Sequence, residues 1–80
     1  MRTSKIISPA TVTALGFTHD MHAYPTRMEW QGKTYHFLGR GIRMNIRRGE
    51  KLMSAVTCSD GEREFYFRFA AGAWTLTGVG

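Results

Sequence analysis

Glycine-containing turn signals divide this chain into segments that are too short to form stable helices. Gln31-Gly32, Asp60-Gly61 and Ala71-Gly72 interrupt the sequence, and Gly49 lies between the first two. Pairs such as Asp-Gly favour two-residue hairpin turns, because these turns need positive φ angles that glycine adopts without a Cβ clash. The segments between the turns alternate apolar and polar residues, so the spacing predicts short antiparallel strands joined by hairpins.

The Asp60-Gly61 pair predicts the clearest hairpin. A two-residue turn there sets Val56 opposite Phe65 and Leu52 opposite Phe69. One side of this ribbon is then apolar and the other is mixed, which supports the register. The predicted apolar side carries Leu52, Ser54, Val56, Cys58, Phe65, Phe67 and Phe69.

The segment before this hairpin alternates without error, with Ile42, Met44 and Ile46 between Arg43, Asn45 and Arg47. Period-two alternation indicates a half-buried strand, whereas a helix would scatter the apolar residues around its surface. A three-residue loop, Arg47-Arg48-Gly49, would place Gly49 at the left-handed position that such loops require. This loop sets Met44 opposite Leu52, and it therefore predicts that the apolar row joins the core.

The complete pattern predicts an all-β domain over residues 9–80, preceded by a basic tail over residues 1–8. A third hairpin at Gln31-Gly32, a first strand at TVTALGF and a last strand at WTLTGV bring the total to six or seven short strands. An antiparallel meander must close or form two layers to bury its apolar side. We expect a small, bent SH3-like or OB-like barrel, and the alternative is an open sheet that dimerises through a strand edge.

The order Pro25, Trp30, Gly32, Tyr35 and Phe37 resembles short all-β domains of uncharacterised bacterial proteins, which also carry a late Trp-x-Leu like Trp74 to Leu76. The resemblance spans about two-thirds of the chain, and it concerns core and turn residues. It implies a fold, and it carries no catalytic residues.

The charge of the chain favours an anionic partner. Eleven Lys and Arg residues stand against six Asp and Glu residues, which gives a net charge of +5. Such a balance favours nucleic acid, anionic lipid or an acidic protein surface. The single Cys58 excludes an internal disulfide, and the N-terminal residues lack the apolar run of a signal peptide. We therefore expect a cytoplasmic protein without membrane contact.

The predicted registers collect cations on one solvent face around an aromatic ring. Arginine offers paired donors to phosphate, and an exposed tyrosine can stack on a base. The predicted face therefore suits RNA or single-stranded DNA, although outward cations also simply solvate strands and discourage edge aggregation. Its members are Arg43, Arg47, Arg48, Lys51, Tyr66 and Arg68.

Catalytic, cofactor and metal sites are not predicted. His19 and His22 lie in one loop and His36 lies on a predicted strand, which is not a metal-ligand spacing. Cys58 is expected on the core side, where a thiol is ordinary packing. The second functional hypothesis is a protein-interaction or assembly domain that uses a strand edge or a groove lined by aromatic side chains. Those side chains would be Tyr24, Trp30, Tyr35 and Trp74.

Overall fold

The computed structural model describes the backbone of residues 4–5 and all of residues 9–80, and it confirms an all-β fold. The strands are β1 (Ser4–Lys5), β2 (Ala10–Phe17), β3 (Ala23–Trp30), β4 (Lys33–His36), β5 (Leu38–Arg48), β6 (Lys51–Ser59), β7 (Glu64–Ala70) and β8 (Ala73–Val79). They form two antiparallel sheets, one with the order β1-β8-β7-β6-β5 and one with the order β2-β3-β4. The predicted tail lies outside the described residues, except for the two residues of β1.

Two hairpins form at the predicted glycine pairs. Gln31 and Gly32 have φ angles of 51° and 75°, and Ala71 and Gly72 have φ angles of 51° and 78°. Positive φ at both central residues is the signature of a type I′ turn, whose twist matches that of the strands. The first turn confirms the predicted third hairpin and brings Met28 opposite Tyr35.

The core lies between the inner faces of the two sheets. Phe65 is fully buried, and its ring lies 5.2 Å from that of Tyr35 and 5.3 Å from that of Phe37. The Phe37 amide donates to the Thr26 carbonyl at the point where the chain leaves the three-stranded sheet. The buried apolar residues are Met28, Phe37, Val56, Cys58, Phe65, Phe67, Leu76 and Val79.

The loop between β6 and β7 is two residues longer than the sequence predicts. Val56 pairs with Phe67 rather than Phe65, because residues 60–63 all belong to the loop. The Asp60 carboxylate accepts from the amides of Glu62 and Arg63, each at 2.9 Å, and these bonds hold the wider loop. A shift of two residues preserves the side on which each side chain lies. The predicted faces of β6 and β7 are therefore correct although their register is not.

The loop between β5 and β6 is shorter than predicted, and this difference inverts β5. Arg48 pairs with Lys51, so the loop is Gly49-Glu50. Gly49 has a φ of 61°, and Glu50 does not have a positive φ, which is the pattern of a type II′ turn with glycine first. The register differs from the predicted one by three residues, and an odd shift moves every side chain to the opposite face.

The apolar row of β5, which was predicted in the core, lies on the outer face of the sheet because of this inversion. Arg43 pairs with Val56 on the inner face, while Met44 pairs with Ala55 on the outer face. Ile42 and Met44 are accordingly 73% and 65% exposed instead of buried.

The described strands form two packed sheets rather than a closed barrel. β5 ends one side of the larger sheet, and among the described strands β6 is the only one that pairs with it, although β3 of the other sheet also lies close to it.

Candidate functional site

The candidate site is the basic hairpin, which we define as β5, its turn and β6. Five cations lie on it, and Glu50 at the turn is its only acidic residue. Lys51, Leu52 and Met53 pair with β5 alone, since the pairing of β6 with β7 begins at Ser54. The tip of the hairpin thus extends beyond β7. The cations are Arg40, Arg43, Arg47, Arg48 and Lys51.

Two glycines shape the start of β5. Gly39 and Gly41 have φ angles of 66° and 71°, and the pairing with β6 is irregular between Leu38 and Ile42. A Cβ on Gly41 would overlap the Thr57 carbonyl oxygen, whereas a Cβ on Gly39 would meet nothing within 4 Å. The chain therefore needs glycine at position 41 both for its φ and for the close approach of β6.

Four of the predicted site residues lie on the outer face of the larger sheet. Lys51 and Arg68 line a concavity of about 400 Å³ whose floor includes Met53. Arg48 lies opposite Lys51 at the tip, so Lys51 has one cation across the hairpin and another across the concavity. Tyr66 is also on this face, but its ring covers the backbone of Gly80 and is half-buried.

The other two predicted site residues lie on the inner face. Arg47 pairs with Leu52 and is exposed near the tip, whereas Arg43 is half-buried and donates to the Ala23 carbonyl of β3. The predicted single face of six residues is therefore wrong, because Arg43 and Arg68 lie on opposite sides of the sheet. The cause is the odd register shift at Gly49.

An exposed apolar row that the sequence did not predict lies beside the edge of β5 that does not pair with β6. Ile42 and Met44 are exposed on the outer face, and Ile46 beside them is half-buried. The signal that could have revealed this row is Gly49, because glycine at the first position of a type II′ turn implies a two-residue loop.

The aromatic residues proposed for a groove belong largely to the core. Trp30 and Trp74 pack against the buried cluster, and Tyr35 contacts Phe65. Tyr24 lies across Gly16 of the neighbouring strand, where a Cβ would come within 2.6 Å of the tyrosine ring.

Cys58 is buried, and this burial raises the pKa of its thiol from 9.0 to about 11. The thiol is therefore neutral near pH 7 and is a poor nucleophile or metal ligand. Among the described residues, no three His, Cys, Asp or Glu side chains lie close enough to hold a metal ion. His19, His22 and His36 are among these described residues and form no such group.

Within the described ranges, no helix is long and apolar enough to cross a bilayer. Comparison of the chain with known proteins found no matching family model, no similar curated protein and no similar solved structure.

Proposed function

We propose that this protein is a non-enzymatic binding module, and that an acidic, extended segment of a partner protein adds as a strand to the free edge of β5. The observation that supports this most directly is the position of β5, which is an eleven-residue strand at the side of the larger sheet. An unpaired strand edge presents N–H and C=O groups that a second chain can pair with.

The side chains next to this edge also favour a protein partner. Ile42 and Met44 are more than half exposed, and they are adjacent members of one row on the outer face. Proteins usually blunt long apolar edges, so an exposed apolar row on an edge strand is typical of an interaction site. A partner strand with alternating apolar residues would cover this row.

The charge of β5 selects an acidic partner over a second copy of the same chain. The strand carries Arg40, Arg43, Arg47 and Arg48 and has no acidic residue. Pairing β5 with its own copy would set cations against cations, and like charges opposed across strands are destabilising. Acidic residues that alternate with the apolar ones would complement both faces of β5.

Nucleic acid is the second candidate, and the tip of the hairpin is the feature that favours it. Arg47, Arg48 and Lys51 lie within two residues of the Gly49-Glu50 turn and extend beyond β7. A two-stranded ribbon can contact phosphates with the side chains at its tip. RNA or single-stranded DNA would then bind around the tip rather than across a flat face, and without stacking on Tyr66.

Two further expectations belong to this proposal. The raised pKa of the Cys58 thiol supports a role without nucleophilic catalysis, and the single cysteine suits a reducing, cytoplasmic setting. We also propose that the two sheets represent an opened form of the expected SH3-like or OB-like barrel. The passage of the chain from one sheet to the other at Phe37 supports this relationship.

Titration with two probes tests the proposal. One probe is a synthetic peptide of alternating glutamate and valine, and the other is a single-stranded oligonucleotide, each followed by amide chemical shifts. The double variant Ile42→Asn with Met44→Asn should weaken peptide binding by about tenfold or more, since two apolar contacts are lost. The control Leu15→Asn, at an exposed site on the other sheet, should leave binding unchanged.

The variant Arg47→Gln with Arg48→Gln separates the two candidates. Oligonucleotide binding that disappears in this variant, persists in the asparagine variant and falls steeply with salt would favour nucleic acid. If the wild-type protein retains the oligonucleotide but not the peptide at low salt, the strand-addition proposal is wrong. If it retains neither probe, both candidates are wrong.

A further inference from the structure

The inner side of the basic hairpin borders a groove that is separate from the β5 edge. This groove has a volume of about 440 Å³ and lies between the hairpin and the start of β3. We propose that it binds a small organic anion, namely a carboxylate or phosphate attached to an aromatic or short aliphatic group. This inference does not depend on the partner strand proposed above.

Arg43 provides the positive charge of the groove. The side chain is half-buried, and it forms no ion pair with any residue in the described part of the chain. Its single hydrogen bond goes to the neutral Ala23 carbonyl and leaves most of its five N–H donors available. A partly buried guanidinium without a counter-ion stabilises an incoming anion more strongly than an arginine in open solvent does.

Asn45 extends the donor set along the same strand. It lies two residues after Arg43, so both side chains face the same side of β5 at a separation of about 7 Å. The Ser54 hydroxyl, which is buried, donates to Asn45 Oδ1 at 3.0 Å. With its oxygen engaged in this way, the amide nitrogen of Asn45 is the group left to donate. The groove contains no aspartate or glutamate in its lining, so its polar groups favour an anion.

The remaining wall of the groove is apolar. Phe69 pairs with Ser54 and is half-buried. Leu52 lies two residues before Ser54 on the same face of β6 and also lines the groove. Ligand sites commonly combine an apolar lining with a few converging polar groups, and this groove lies within their usual range of size. The apolar wall therefore favours an anion that carries a ring or a short chain over inorganic phosphate.

The experiment is a titration of the ¹⁵N-labelled protein with benzoate, phenyl phosphate and benzylamine. We expect saturable shifts at the amides of Asn45, Leu52 and Phe69 with the two anions, and no saturable shift with benzylamine. Arg43→Gln should weaken anion binding by about tenfold or more, the loss expected for a charge-assisted contact. Arg40→Gln is the matched control, because Arg40 lies on the same strand outside the groove.

Arg43→Gln also removes the hydrogen bond to β3 and could weaken binding by altering the shape of the groove. A second variant therefore changes the groove without touching that hydrogen bond. Leu52→Asn changes an exposed side chain in the apolar wall. It should weaken the binding of benzoate and phenyl phosphate more than the binding of inorganic phosphate, which is titrated as a further probe. Equal shifts with benzylamine and benzoate would overturn the proposal. It would also be overturned by unchanged anion binding in Arg43→Gln, or by an absence of saturable shifts with both anions.

Discussion

The exposure of the tip of the basic hairpin can be tested with two leucines that both lie on the inner face of the larger sheet. Leu52 is 63% exposed, whereas Leu76 is 6% exposed in the core. Full burial of a leucine stabilises a protein by about 1.5–3 kcal/mol. Since only about a third of Leu52 is covered, we expect Leu52→Ala to lower the free energy of unfolding by about 0.5–1 kcal/mol, without a cavity term.

The corresponding loss for Leu76→Ala should be much larger. A buried leucine replaced by alanine costs about 2.7–5 kcal/mol, because the removed atoms leave a cavity. Urea unfolding followed by tryptophan fluorescence measures both values, and similar m-values would show that the same transition is compared. A loss at Leu52 as large as that at Leu76 would refute the exposure of the hairpin tip beyond β7.

Three other predictions concern the turns and the core. Gly41→Ala should destabilise the protein more than Gly39→Ala does in the same urea assay. A left-handed alanine costs about 1–2 kcal/mol at either position, but only at position 41 does the new Cβ also clash with a carbonyl oxygen. Equal losses would contradict the close approach of β6 to β5. The Cys58 thiol should resist alkylation at pH 8 until urea unfolds the protein, and stability should fall as pH rises from about 9 to about 11, because the unfolded chain releases its thiol proton first. Cys58→Ala should remove that fall, and a reactive thiol in folded protein would refute its burial. Two backbone amides hold the pKa of Asp60 below its ordinary value of 3.8, so its contribution to stability is present above that pH and is lost in more acidic solution. Asp60→Ala should therefore be less stable than wild type at pH 7 by a margin that narrows as the pH falls below 3.8, and a margin that does not change with pH would contradict this account.

Two hairpin loops differ in length from the predicted ones, and these differences decide how much of the candidate site could be predicted. The Asp60 loop is two residues longer than the sequence predicts, and the predicted faces of β6 and β7 are still correct, because side chains alternate with a period of two. The Gly49 turn shifts the register of β5 against β6 by three residues from the predicted one, and residues 42–48 therefore lie on the opposite side of the sheet. The cations near the turn still lie together at the tip, whereas the predicted placement of Arg43 and Arg68 on one face is wrong.

Alternation and turn chemistry are local properties, and the sequence by itself determined what depends on them: the all-β class, most strand positions and the inward placement of Val56, Phe65 and Phe67. Which side of the sheet β5 presents is not a local property. Ile42 and Arg43 alternate equally well in either register, so the choice depends on the turn at Gly49 and on the contact of Arg43 with β3. Only the tertiary structure decided that the apolar row faces solvent beside a free edge.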